Sequence, residues 1–207
     1  MTSSSSSATQ AFSVTWDYRC PFARNANEHL VTALQDGAPW EVTFLPFSLS
    51  QIHAEDEGES VWDDPEESAN LLALEVGVVV RDRFPDQFLS VHRALFAARH
   101  DDGGDLRDEE TLSSVLKSCD VNPEDVLLET RRGWPREIVR ESHERAVREF
   151  DVFGVPTFIV GGDAVFVRLM NRPLKDAGLA RSTIDSVLEL IATQPNLNEF
   201  KHTRVAR

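Results

Sequence analysis

Cys20 stands where an alternating apolar segment ends and helical spacing begins, and Pro21 follows it directly. A proline suits the first turn of a helix, because the N–H it lacks has no intrahelical partner there. Cys20 is thereby placed at a helix start, where unpaired N–H groups and the positive end of the helix dipole favour the thiolate over the thiol. The thiolate is the nucleophile in disulfide exchange. Arg19 and Arg24 flank the cysteine and add positive charge if their side chains turn toward it. The ordinary alternative for a lone cysteine, a small buried hydrophobe, is weakened by the sequence strand, Cys-Pro, helix.

Far along the chain, Phe153-Gly154-Val155-Pro156-Thr157-Phe158 runs into a segment of strand character. A proline at the mouth of a strand removes a ladder donor, so it belongs at the first residue or an edge, and a cis peptide is compatible with that place. Asp17 closes the first strand, and a carboxylate beneath the thiol is placed to relay protons; the alternative is a strand-end turn residue.

Together these segments carry a resemblance. Asp17-Tyr18-Arg19-Cys20-Pro21-Phe22-Ala23 resembles the active-site motif of DsbA-like oxidoreductases, and Gly154-Val155-Pro156-Thr157-Phe158 is similar to that family's cis-proline loop. The resemblance covers about Ser13 to Ala192. It implies an α/β thioredoxin fold with a large helical insertion between the βαβ half and the ββα half. It also implies that Cys20 is the nucleophile and that the Val155-Pro156 bond is cis and faces it. By the same resemblance Pro21, Phe22, Ala23, Arg24, Val155, Pro156 and Thr157 contact a substrate or small thiol. Asp17 keeps its two readings.

The departure from the family is Ala23, at the position where DsbA-like enzymes usually carry a second cysteine. A dithiol resolves its own mixed disulfide, whereas a single thiol needs an external one. The resemblance therefore implies a thiol-disulfide oxidoreductase with one nucleophilic cysteine in a Cys-Pro-Phe-Ala motif, resolved by a low-molecular-weight thiol. Kappa-class glutathione transferases and 2-hydroxychromene-2-carboxylate isomerases share this architecture and bind glutathione, with Ser where this chain has Cys20. They keep a small-thiol-dependent transferase or isomerase open as an alternative, and a thioredoxin-fold binding module that lost its chemistry is a third. The acidic, Arg- and Val-rich composition resembles that of actinobacterial proteins, in which mycothiol takes the place of glutathione. No metal is expected.

The elements that must position these groups follow from periodicity. Phe12 to Asp17 alternates as a strand, Phe22, Ala26, His29, Leu30, Ala33 and Leu34 mark one face of a helix, and Trp40 to Leu45 reads as a second strand. Such a βαβ unit requires parallel strands. Pro65 to Phe84, Asp86 to Ala98, Asp108 to Cys119, Pro123 to Arg131 and Pro135 to Phe150 read as helices. Strand character returns at Thr157 to Val160 and Ala164 to Leu169 around a Gly161-Gly162-Asp163 turn, and a last helix is expected over Ser182 to Ala192, capped by Ser182. The division is a disordered tail over 1–11, a thioredoxin-like domain over 12–60 and 151–195, a helical insertion over 61–150 and a C-terminal tail over 196–207. Apolar residues of the insertion such as Leu71, Leu74, Phe88 and Leu95 should be buried, and the insertion should wall a cleft over Cys20.

Composition excludes several classes. A net charge of −14 disfavours nucleic acid and anionic membranes as partners. The acidic excess falls in two runs, Glu55 to Glu67 and Asp101 to Glu110, which read as solvated loops and helix starts. The longest apolar stretch, Leu71 to Val80, is interrupted by Glu75 and is too short to span a bilayer. Met1 to Gln10 is Ser-rich, without the basic and apolar regions of a secretory signal. Two cysteines far apart in sequence make neither a disulfide framework nor a zinc pattern and suit a reducing cytoplasm. The second, Cys119, reads as buried packing, with a resolving or regulatory role as the alternative. His29 and His143 read as packing or surface residues, and Trp62 and Trp134 either line the cleft or pack. A homodimer is among the open oligomeric states.

Overall fold

The computed structural model describes residues 9–56, 60–64, 67–202 and 204. Residues 1–8 of the tail expected over 1–11, the first residues of the helix expected from Pro65, and 205–207 lie outside the described residues.

Alternation in the first segment produces strand β1 (Gln10–Trp16), whose even-numbered residues Phe12, Val14 and Trp16 are buried. The chain turns at Asp17–Arg19, with the Cys20 N–H donating to the Asp17 carbonyl, and enters helix α1 (Pro21–Gln35) with proline at its first position. Gly37 then takes φ +84°, a left-handed conformation open to glycine at little cost, and strand β2 (Trp40–Pro46) follows. β1 and β2 pair in parallel from Gln10 opposite Trp40 to Trp16 opposite Pro46.

After β2 comes α2 (Leu49–Asp56), a short helix that periodicity does not announce. A 3-10 turn over Glu67–Leu71 leads into α3 (Leu72–Arg83), α4 (Pro85–His100), α5 (Glu109–Ser118), α6 (Pro123–Arg131) and α7 (Trp134–Phe150). Leu71, Leu74, Phe88 and Leu95 are all buried, as their spacing requires. The hairpin β3 (Thr157–Val160) and β4 (Asp163–Phe166) closes on Gly161 and Gly162, both at positive φ. Helix α8 (Ala177–Thr193) ends the fold.

Several expected boundaries move. β1 begins at Gln10, inside the tail expected over 1–11, because Gln10 and Ala11 pair with Trp40 and Glu41 of β2. β4 stops at Phe166 rather than Leu169, and α8 starts five residues before Ser182, capped by Asp176, whose side chain accepts from the Leu179 N–H. Pro173 lies buried in the intervening segment, which runs as an irregular connection along α1: the Leu169 carbonyl accepts from the Asn25 side chain at 2.8 Å.

The sheet order is β2-β1-β3-β4, with β1 parallel to β2 and antiparallel to β3, and β3 antiparallel to β4. Helices α1 and α8 pack together beside this sheet, and α4 packs on α1 and α3 and reaches the sheet through its side chains. The joint is aromatic. Trp16 and Phe44 of the sheet meet Phe88 and His92 of α4 at ring-centroid distances of 5.1–6.2 Å. Arg24 and Glu28 of α1, Asp101 at the end of α4 and Arg172 before α8 form a closed ring of alternating charges, which joins three segments remote in sequence. Burying Arg24 and Glu28 is compatible with stability because each is paired.

Candidate active site

Cys20 is the N-cap of α1, in an extended conformation with φ −93° and ψ 121°. Its Sγ accepts from the Ala23 N–H at 3.4 Å, as a capping atom does for an otherwise unpaired donor. On the other side Sγ lies 3.2 Å from the Val155 carbonyl oxygen, to which the thiol donates. The Val155–Pro156 peptide is cis. Its loop is held by Thr157, whose N–H donates to Thr15 Oγ1 and whose hydroxyl donates to the Gly154 carbonyl, each at 2.8 Å. The two sequence segments singled out for chemistry therefore meet at one sulfur.

The electrostatic balance differs from the one the helix start suggests. Cys20 is only 8% exposed. Burial pushes its thiol above the ordinary value, the N–H groups of Ala23 and Phe22 pull it down, and the Asp17 carboxylate pushes it up again; the net direction is upward. Neither flanking arginine compensates. Arg24 turns into the charge ring with Glu28 and Asp101, and Arg19 donates to the Ser50 hydroxyl. An S–H donor to a carbonyl also belongs to the neutral form. The resting group is a thiol.

Asp17 is buried beneath this turn. Its Oδ1 accepts from the Arg19 N–H and its Oδ2 from the Leu49 N–H, both at 2.9 Å, so it ties the Cys20 turn to the start of α2. Burial pushes its carboxyl above the usual carboxylate range, against those two donors and the charges of Arg19 and His53.

A buried polar chain supports the site from below. Asn27 donates through Nδ2 to the Ala23 carbonyl at 2.8 Å, which leaves Oδ1 as the acceptor for His92 Nε2 at 3.0 Å; His92 Nδ1 then accepts from the Tyr18 hydroxyl at 2.8 Å. Burial lowers the His92 pKa to about 3, so the ring is neutral, as this tautomer requires. His100 adds a second clamp, with Nε2 2.9 Å from the Tyr18 carbonyl oxygen. Helix α4 thus holds both ends of Tyr18, two residues before the cysteine. Gly77 of α3 leaves room for the hydroxyl: a Cβ there would stand 2.6 Å from it.

Of the other expected contact residues, Pro21 is exposed, Phe22 half-buried, and Ala23, Val155, Pro156 and Thr157 buried. Cys119 is half-buried rather than buried as expected, since it sits at the C-cap of α5 with its sulfur 3.7 Å from Ser118 Oγ, and both cysteines are free. His29 is buried against the Asn25 carbonyl. His143 packs between Phe47 and Trp62, and Trp134 lies under Arg83. Among the described residues no cluster of side chains is arranged to hold a metal ion, and no helix is long and apolar enough to cross a membrane.

The model of the DSBA-like thioredoxin domain family matches residues 13–172. The chain belongs to this family. No curated protein matches the sequence. Among solved structures, a 2-hydroxychromene-2-carboxylate isomerase is similar with a TM-score of 0.60 and 15% identity, over 90% of this chain and 98% of that one. BdbD from Bacillus subtilis, in its oxidised form, is similar with a TM-score of 0.58 and 17% identity, over 86% and 87%. MdbA, a thiol-disulfide oxidoreductase from Actinomyces oris, gives 0.58 and 19%, over 84% and 80%. At such identities the likeness is one of fold. In this DsbA-like domain, reasoning from sequence located the sulfur and its proline loop but not Thr15, Asn27, His92 or His100, which serve the site through contacts remote in sequence. Tyr18 lies inside the Asp17–Ala23 motif, but its role depends on His92 and His100 far along the chain.

Proposed function

We propose that the protein is a monothiol thiol-disulfide oxidoreductase acting through Cys20, with a low-molecular-weight thiol as resolving partner. The observation that carries this reading is the sulfur held between the Ala23 N–H and the Val155 carbonyl, with a fully buried alanine where a second sulfur would stand. After losing its proton, Cys20 attacks one sulfur of a disulfide; the Cys20–sulfur bond forms, the original S–S bond breaks, and the departing thiolate takes up a proton. A small thiolate then attacks the substrate-derived sulfur of the adduct and returns Cys20 as thiol. Glutathione and mycothiol are the two candidates, and the cytoplasm is the proposed setting, since it supplies such a thiol and keeps both cysteines reduced. Asp17 is the proposed partner for the Cys20 proton.

The neutral state of Cys20 favours a second reading, in which the S–H donates to the thiolate of a bound small thiol and that thiol is the reactant, as in a transferase or isomerase. Intact-mass measurement after mild peroxide with a panel of small thiols tests the first: a stoichiometric adduct on Cys20, and disulfide turnover that depends on added thiol, are expected. Undiminished turnover by Cys20→Ser would sink it in favour of the second.

A further inference from the structure

Three aromatic rings and one cation gather where the first turn of α1 meets the end of β4 and the segment before the cis proline. Phe22 lies in the first turn of α1, one residue before the Ala23 N–H that touches Sγ. Phe153 stands two residues before Val155 and is 68% exposed, with its ring 5.2 Å from that of Phe166 at the end of β4. Phe166 in turn lies over Gly154, where a Cβ would meet its ring at 3.5 Å. The exposed Arg168 bridges the two sides, its guanidinium carbon 5.4 Å from the Phe22 ring centroid and 5.9 Å from that of Phe166. Among the described residues Arg168 forms no ion pair, while the neighbouring Arg24 and Arg172 are both committed to carboxylates.

A guanidinium seated on aromatic faces keeps its N–H edge free for a planar anion, and a fork of parallel donors matches a carboxylate. Two observations tie Arg168 to the Cys20 site: its guanidinium sits on Phe22, two residues after Cys20, and the N–H of the adjacent Val167 donates to the Pro156 carbonyl at 3.0 Å. We infer that Arg168, set between Phe22 and Phe166, is a carboxylate-binding group that selects carboxylate-bearing thiols and disulfides over neutral ones at Cys20. The exposed Phe153 face receives the apolar part of the same substrate. This rests on Cys20 reacting with small thiols, and it decides between the two candidate partners: a peptide thiol with free carboxylates fits, and a neutral glycoside thiol lacks the group that Arg168 would bind.

The test compares alkylation of Cys20 by iodoacetate and by iodoacetamide, followed by mass mapping, in wild type, Arg168→Gln, Arg168→Glu and Arg19→Gln. Both reagents consume the same thiolate, so the ratio of their rates cancels the ionisation of Cys20 and reads only the preference for the anion. The ratio is expected to fall about threefold in Arg168→Gln and further in Arg168→Glu. 3-Mercaptopropionate and its amide, as resolving thiols for a Cys20 mixed disulfide, should show the same order. A reactive Cys20 with an unchanged ratio in both Arg168 variants overturns this inference and leaves the proposed function standing. A larger fall in Arg19→Gln than in Arg168→Gln also overturns it. A native Cys20 that accepts neither reagent and no small thiol overturns both.

Discussion

The Cys20 thiol donates to the carbonyl of Val155, a residue 135 positions away, at 3.2 Å. This bond joins the helix start to the proline loop and also opposes ionisation, because a carbonyl oxygen repels a thiolate. The acidity of Cys20 is a contest between two helix-start donors on one side and burial with the Asp17 charge on the other.

It follows that alkylation of Cys20 rises with an inflection above the ordinary thiol pKa of about 8.5. A thiol whose folded pKa is raised stabilises the fold below its unfolded pKa, and that contribution is lost as pH rises through the folded value. Asp17→Asn removes the nearby charge, so the inflection should move down, measured by iodoacetamide rate against pH. An inflection that stays in place or moves up would show that Asp17 does not act on the sulfur. The amide should cost about 1–3 kcal/mol in unfolding free energy, because its NH2 meets one of two backbone donors.

Ala23 decides whether the site can resolve its own adduct. Its N–H touches the Cys20 sulfur and its side chain is fully buried one turn into α1. Ala23→Cys should form a disulfide with Cys20, seen as loss of two hydrogens in the intact mass, and gain insulin-reductase activity without added small thiol. Overpacking should cost about 1–3 kcal/mol in denaturant unfolding. Wild-type activity under the same conditions that disappears in Cys119→Ser would instead make Cys119 the resolving residue.

Neutral His92 makes the fold sensitive to acid. Its folded pKa, about 3, lies below the unfolded value near 6.5, so its contribution to stability is complete above pH 6.5 and is lost as pH falls toward 3. His92→Phe removes that titration but orphans the Tyr18 hydroxyl and the Asn27 carbonyl oxygen. The variant should have a lower Tm at neutral pH and a shallower decline of Tm through the acid range. A decline as steep as that of the wild type would place the acid-sensitive group elsewhere.

Gly77 and Tyr18 should be coupled. Gly77→Ala sets a methyl 2.6 Å from the Tyr18 hydroxyl and should destabilise by about 1–3 kcal/mol. Tyr18→Phe alone should cost about 1–3 kcal/mol through the unsatisfied His92 Nδ1. Because the phenylalanine lacks the atom that clashes, the double variant should cost less than the sum of the two. Additive costs in denaturant titrations would mean that the backbone of α3 shifts to absorb the methyl.

What could be read in the chain was what local rules carry. Cys20-Pro21 announces a helix start by steric and capping logic alone, and the alternation of Phe12, Val14 and Trp16 announces the strand before it. Helix α2 was not legible because Leu49–Asp56 has little amphipathic contrast and adjoins an acidic run. The start of α8 was misplaced because Ser182 and Asp176 are both sound caps, and only the path of the chain along α1 chooses between them. The direction of the Cys20 shift was hidden for a related reason: the helix-start donors are local and visible, whereas burial under the Val155 loop and the turning away of Arg24 arise from segments far along the chain.

The charge ring of Arg24, Glu28, Asp101 and Arg172 sets the smallest piece of this protein that an engineer could handle. Cutting out α3 to α7 to obtain a minimal thioredoxin would remove Asp101 and leave two guanidinium groups competing for Glu28. The same cut would strip Phe88 and His92 from Trp16 and open an aromatic face to water. The interrupting helices are therefore not a detachable accessory, and grafting, permutation or swapping must carry β1 through α8 as one indivisible part.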